Sequence, residues 1–244
     1  MRRAALGLLA AVLATAAAAG AARDRADARL TVLAASSLTN VFPQIDPAPR
    51  YSFSGSDKLA AQIEQGVPAD VFAAASPKYP ERMYAKGLVT KPVVFARNRL
   101  VVVVPASNPV HIRSVYDLTR RGIKLVIASA GVPLGSYTRQ VLERLGLRSA
   151  LANVVSEEVD ARAVLAKVAL GEADAGFVYV TDARTEPKKV ATVPIPARAQ
   201  PTQAYEIAIV AGSPNRAAAA AFVKKVLGAG GQSALRKAGF LPPR

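Results

Sequence analysis

Four short stretches of small and hydroxyl residues stand where a strand hands over to a helix. They are Ala34-Ala35-Ser36-Ser37, Phe53-Ser54-Gly55-Ser56-Asp57, Ala130-Gly131-Val132-Pro133-Leu134-Gly135-Ser136 and Glu158-Val159-Asp160-Ala161. The first turn of a helix carries backbone N–H groups without intrahelical partners and a partial positive charge of about half a unit. Such a turn holds an anion without any cationic side chain. Several of them at the C-terminal edges of parallel strands would converge on one ligand. Taken singly, each stretch reads more readily as ordinary capping by Ser or Asp. The remaining reactive residues point less far. His111 is the only histidine, follows Asn108-Pro109-Val110 in a loop-like segment, and has no second His and no Cys to share a metal. Glu157, Glu158 and Asp160 suit favourable charges at a helix start better than an acid–base pair or a hard-metal site.

Turns of this kind need alternating strands and helices to hold them. Short β-branched or apolar runs at Leu30–Ala34, Tyr51–Phe53, Val71–Ala74, Leu100–Val104, Lys124–Ala128, Ala175–Val180 and Tyr205–Val210 predict strands. Helical spacing of apolar residues predicts helices over 57–65, 80–86, 134–145, 160–170, 214–227 and 231–238. Glycines 66, 87, 146 and 171 stand just past helix ends. The alternation predicts an α/β fold with mostly parallel strands.

Composition closes much of the catalytic repertoire. The 244 residues contain no Cys and one His, which excludes thiol nucleophiles, Cys- or His-rich zinc sites and any Ser–His triad that does not use His111. Gly-x-Ser-x-Gly, Walker and Gly-x-Gly-x-x-Gly motifs are absent. Arg2 and Arg3 precede an Ala-rich apolar run from Ala4 to Ala19 and then Gly20-Ala21-Ala22. A basic head, an apolar stretch and a small-residue cut site predict a secretory signal peptide over residues 1–28, cleaved after Ala22 or Ala28. The run is shorter than the ~20 residues a spanning helix needs. With no cysteine no lipid anchor is expected, so the mature chain is expected to be soluble and exported. Net charge is +15, or +13 once Arg2 and Arg3 are removed. The cations are dispersed, with Arg120-Arg121, Lys188-Lys189 and Lys224-Lys225 the densest pairs, and lack interleaved aromatics, so no nucleic-acid partner is expected. Their effect is long-range attraction of anions.

The motifs together resemble a known family. Ala34-Ala-Ser-Ser-Leu-Thr-Asn40, Phe53-Ser-Gly-Ser56, Gln65-Gly-Val-Pro-Ala-Asp-Val-Phe72, Val132-Pro-Leu-Gly-Ser-Tyr137 and Gly171-Glu-Ala-Asp-Ala-Gly-Phe-Val-Tyr-Val-Thr-Asp-Ala183 stand in the order found in periplasmic molybdate-binding proteins of ABC uptake systems. The resemblance runs from Leu30 to Phe240. It implies a type II solute-binding fold of two α/β lobes, 29–102 with 208–244 and 103–207, joined by a two-strand hinge at Leu100–Val104 and Tyr205–Val210. It further implies a monomer that closes over molybdate or tungstate, needs no cofactor, and delivers the ion to a membrane ABC permease. Carried over by position, Ser37 and Ser56 donate hydroxyl and backbone N–H groups, Leu134 and Ala161 backbone N–H groups, and Tyr179 its phenol. These residues would touch the oxygens of the ion and never its metal.

The chain departs from the family pattern in three places. The segment from Asn40 to Arg50 is short and holds Pro43, Pro47 and Pro49, so the first long helix is expected to be truncated. Asp57 follows Ser56 where an uncharged residue is usual, and Ala161 replaces a larger apolar residue. If Asp57 faced the ligand it would repel molybdate and favour a protonated anion; a carrier of another oxyanion, sulfate or phosphate, is the first alternative, and the placement of Asp57 discriminates. An enzyme on the same scaffold is the second, and the missing nucleophile motifs count against it.

Overall fold

The computed structural model describes residues 29–244, so the signal-peptide reading of 1–28 lies outside the described residues. The chain first builds β1 (Thr31–Ala35), a 3-10 turn (Ser36–Leu38), α1 (Phe42–Ile45), β2 (Arg50–Ser54), α2 (Ser56–Glu64), β3 (Val71–Ala74), α3 (Lys78–Ala85) and β4 (Val93–Arg97). It continues with β5 (Leu100–Pro105), β6 (Leu125–Ala128), α4 (Pro133–Arg144), β7 (Val154–Glu158), α5 (Ala161–Ala169), β8 (Ala175–Tyr179), α6 (Val180–Ala183) and β9 (Val190–Val193). It ends with β10 (Ala204–Ile209), α7 (Arg216–Leu227) and α8 (Ala229–Ala238). No described helix is long and apolar enough to cross a membrane.

Two five-stranded sheets form the cores of two lobes, in the orders β2-β1-β3-β10-β4 and β7-β6-β8-β5-β9. Each sheet is mostly parallel, as expected, with four strands running one way and a single reversed strand, β10 or β5. β1 pairs parallel with β2 and β3, and β6 with β7 and β8, because helical or turn crossovers separate those strands in sequence. β10 and β5 run antiparallel to both neighbours, since each enters its sheet directly from the other lobe. The unbroken apolar run of β5 follows from its place between β8 and β9 with Val102, Val103 and Val104 buried.

The lobe boundaries differ from the sequence expectation. Leu100–Val104 and Tyr205–Val210 do not bridge the lobes, because β5 lies wholly in the second sheet and β10 wholly in the first. The crossings are the dipeptide Asn98-Arg99 between β4 and β5 and the irregular segment 194–203 between β9 and β10. A hydrophobic run shows that a strand is buried but not which sheet receives it. The shortened region after Asn40 forms only the four-residue α1, a truncation that its prolines favour.

The lobes touch across the cleft. The Tyr79 hydroxyl donates to the Gly131 carbonyl, and the Arg162 guanidinium donates to Asn40 Oδ1 at 3.3 Å. Gly55 lies so close to the Val159 carbonyl that a Cβ there would sit 2.6 Å from its oxygen. Gly135, inside the first turn of α4, packs where a Cβ would meet the Ser129 carbonyl at 2.1 Å, which seats the start of α4 directly on the end of β6.

Candidate functional site

The five residues singled out in the sequence, Ser37, Ser56, Leu134, Ala161 and Tyr179, line one small cavity between the lobes. Ser36, Ser54, Gly55, Ala75, Val132, Pro133 and Asp160 also line it, and no Lys or Arg does. The cavity is small, with room for about one water-sized occupant and far less than an organic substrate needs.

Three ordinary helices begin at its wall. α2 begins after Gly55 and α4 after Val132, residues whose side chains cannot accept a hydrogen bond, so no side chain caps either first turn. Pro133 opens α4, where a missing N–H costs nothing, and the next N–H belongs to Leu134. α5 is capped by Asp160, whose carboxylate accepts from Arg162 N–H at 2.8 Å and Ala163 N–H at 3.0 Å. That cap leaves the Ala161 N–H as the free donor of the turn. Ordinary capping, the commoner use of such turns, is therefore absent at two starts and incomplete at the third.

The hydroxyls are oriented by the protein behind them. Ser56 Oγ accepts from the Ala75 N–H at 3.1 Å, so its own proton is free to point into the cavity. Ser37 Oγ lies 2.9 Å from the Tyr205 hydroxyl. The Tyr179 hydroxyl is buried and without a hydrogen-bond partner. Burial raises the Tyr179 phenol well above its usual pKa, reinforced by Tyr205 beside it, so it stays a neutral donor.

Behind this wall stands a second layer that sequence reasoning missed. Tyr205 is fully buried, with its ring edge-on to Phe95, Tyr179 and Phe240 at centroid distances of 6.1, 5.7 and 5.3 Å. Asn98 Nδ2 donates to Thr181 Oγ1 at 2.9 Å and to the Tyr205 hydroxyl at 3.4 Å. Buried Asp182 forms an ion pair with Arg162 Nε at 3.1 Å. Burial pushes its carboxyl up to about 7, opposed by Arg162. Tyr205 stands in a strand-forming run with no functional spacing, and Asn98 stands alone between two strands. Only the tertiary fold brings them together.

Of the other flagged residues, Asp160 lines the cavity and the rest stay outside it. Asp57 does not line it; its carboxylate lies against Gly55 and Gly131, where it would meet a Cβ at 2.6 and 3.3 Å respectively. His111 sits in a loop at φ 51°, and no group of three His, Asp or Glu among the described residues could hold a metal ion. Glu158 pairs with Lys167 at 3.3 Å and Glu157 with Arg139 at 2.6 Å, which are surface ion pairs.

Comparison with known proteins gives this geometry a family. The profile of the bacterial extracellular solute-binding proteins matches residues 30–241. The molybdate-binding protein ModA of Mycobacterium tuberculosis is 38% identical over 224 residues, covering 88% of this chain and 85% of its own. The periplasmic molybdate-binding protein of Azotobacter vinelandii shares the fold at a TM-score of 0.80 with 24% identity, over 88% of this chain and 100% of that one. The sulfate-binding protein SubI of Mycobacterium tuberculosis also superimposes, at a TM-score of 0.73 and 20% identity over 88% of this chain and 86% of that one, so the fold alone does not choose the anion. On the matched profile and the identity to a relative along nearly its whole length, this chain belongs to the bacterial extracellular solute-binding proteins and, among them, to the molybdate-binding family.

Proposed function

We propose that the chain captures molybdate, or its congener tungstate, in this cavity and hands it to the membrane permease of an ABC transporter. The lobes in this reading are 29–97 with 204–244, and 100–193. The ion is held by the Ser37 and Ser56 hydroxyls, the Leu134 and Ala161 N–H groups and the Tyr179 phenol. The protein binds and releases its ligand without chemical change.

One observation carries the reading: helix starts free of full capping, together with inward-free hydroxyls, meet in a cavity whose wall holds no cation. Molybdate is fully deprotonated at neutral pH, so every oxygen accepts and a wall of donors is complementary. Each charge-assisted hydrogen bond contributes about 1.5–3 kcal/mol. Neutral donors fix distances rather than merely supply charge, so selection against sulfate, whose bonds to oxygen are shorter, rests on cavity size. Ligand gripped by both lobes stabilises the closed form only through its extra affinity for that form.

A second reading, a protonated oxyanion such as phosphate, is favoured by Asp160, the one carboxylate in the wall. Thermal unfolding with molybdate, tungstate, sulfate and phosphate at equal excess decides between them. A ligand at about 100 times its dissociation constant adds about 2.7 kcal/mol of stability. Molybdate and tungstate should raise the midpoint. A shift with phosphate alone would transfer the site to the second reading.

A further inference from the structure

We infer that Asn98 and Tyr205 are positioning residues that fix the polarity of the Ser37 hydroxyl, so that Ser37 presents a proton and not a lone pair to the bound anion. The inference rests on the oxyanion reading above and adds a hydrogen-bond chain that no ligand contact would reveal.

The direction of the chain follows from which atoms lack acceptor capacity. The Arg99 backbone N–H donates to Asn98 Oδ1 at 2.9 Å, which settles the orientation of the amide. Its Nδ2 therefore faces Thr181 Oγ1 and the Tyr205 hydroxyl at 2.9 and 3.4 Å. An amide nitrogen donates and cannot accept, so the Tyr205 proton cannot point back to it. The acceptor within hydrogen-bond distance of that proton is Ser37 Oγ, at 2.9 Å. Ser37 then receives a hydrogen bond from behind, and its own proton is left for the cavity it lines.

The position of Asn98 gives the chain a second consequence. Asn98 is half of the Asn98-Arg99 crossing between the lobes. Its amide joins Thr181, in α6 of the second lobe, to Tyr205 on β10 in the first. The donor offered by Ser37 in one lobe is thus set by a residue of the hinge. Tyr205 is held for this by the three edge-on aromatic rings around it, which keep its phenol oxygen within reach of Ser37 Oγ.

The test is a double-mutant cycle read as the dissociation constant for molybdate. In Asn98→Asp the new carboxylate accepts from both Arg99 N–H and the Tyr205 hydroxyl. Ser37 must then give its proton to Tyr205 and turn a lone pair to the anion. Asn98→Asp should weaken molybdate binding at least about 30-fold, the loss of one charge-assisted donor. In a Tyr205→Phe background, which keeps the ring but cuts the chain, the same change should cost roughly threefold or less. An equal penalty in both backgrounds would mean simple charge repulsion or hinge damage and would overturn the inference. Unfolding midpoints without anion check that each variant folds. If Asn98→Asp does not fold, the cycle of Tyr205→Phe with Ser37→Ala replaces it. There the Tyr205→Phe penalty should largely vanish once Ser37 is gone, and a full penalty would count against the chain. Wild type that fails to bind molybdate sinks the oxyanion reading and this inference together, whereas wild-type binding with no coupling sinks the inference alone.

Discussion

The two walls of the cleft present different chemistry. The first lobe brings hydroxyls, Ser37 and Ser56, each backed by a donor from its own lobe, the Tyr205 hydroxyl and the Ala75 N–H. The second lobe brings two bare backbone N–H groups, at Leu134 and Ala161, with the phenol of Tyr179 beneath. A hydroxyl wall depends on which side chain occupies the position. A backbone wall depends on helix placement and is indifferent to the side chain, which is why Ala161 can stand where a larger apolar residue is usual. Tolerance to substitution on one side and intolerance on the other is what this difference predicts.

The largest effect is expected from removing a backbone donor without disturbing its helix. Ala161 is the first residue of α5, and Asp160 before it is extended at φ −166° and ψ 177°, a conformation proline accepts in the residue ahead of it. Ala161→Pro should fold and yet weaken molybdate binding about 100-fold by titration calorimetry, the upper end for one hydrogen bond to an ion. Ala161→Ser should change affinity little. Equal losses in both would show that the side chain matters there, and the contrast between the walls would fall.

Next come the hydroxyls. Ser37→Ala and Ser56→Ala should each weaken binding about 10- to 100-fold. Ser56→Ala should also lower stability by about 1–3 kcal/mol, because it strands the Ala75 N–H. Unchanged affinity in both variants would remove the first wall from the site.

The smallest effect separates the layer behind the cleft from the wall itself. Burial pushes the Asp182 and Glu206 carboxyls up to about 7, with Glu81 adding to the second. Unfolded, both would release their protons near pH 4, so the folded chain holds extra protons between about 4 and 7. Stability is therefore greater on the acid side and falls as pH rises through 7. The unfolding free energy at about pH 8 should lie below that at about pH 5.5 by on the order of 1 kcal/mol per group, with a lower thermal midpoint. Asp182→Asn should flatten its share of the slope.

How much of this could be read from sequence differs between the same regions. The helix starts were legible, since Ser56, Leu134 and Ala161 follow strands and precede apolar residues at helical spacing, and each begins or opens a helix. Three of the four edge strands, β4, β7 and β9, were not, whereas β2 was. β7 alternates half-buried and exposed positions with Val155 59% exposed, and β9 exposes its two central residues, so neither carries an apolar run. β4 ends beside Asn98 and its first valine, Val93, is exposed, which hid both the strand and the lobe crossing after it. The hydroxyl chain was out of reach because Ser37 and Tyr205 lie 168 residues apart. Motif spacing found what touches the cavity, and only folding found what holds it.

The central claim, that uncharged donors from both lobes enclose a proton-free tetrahedral ion, has one direct test. Crystals of the protein with molybdate, measured on both sides of the molybdenum absorption edge, would locate the metal without assumption. The account predicts a single anomalous peak between the lobes, its oxygens within hydrogen-bond reach of Ser37 Oγ, Ser56 Oγ, the Leu134 and Ala161 nitrogens and the Tyr179 hydroxyl. A peak held by lysine or arginine side chains at the surface, or one touching a single lobe, would contradict it.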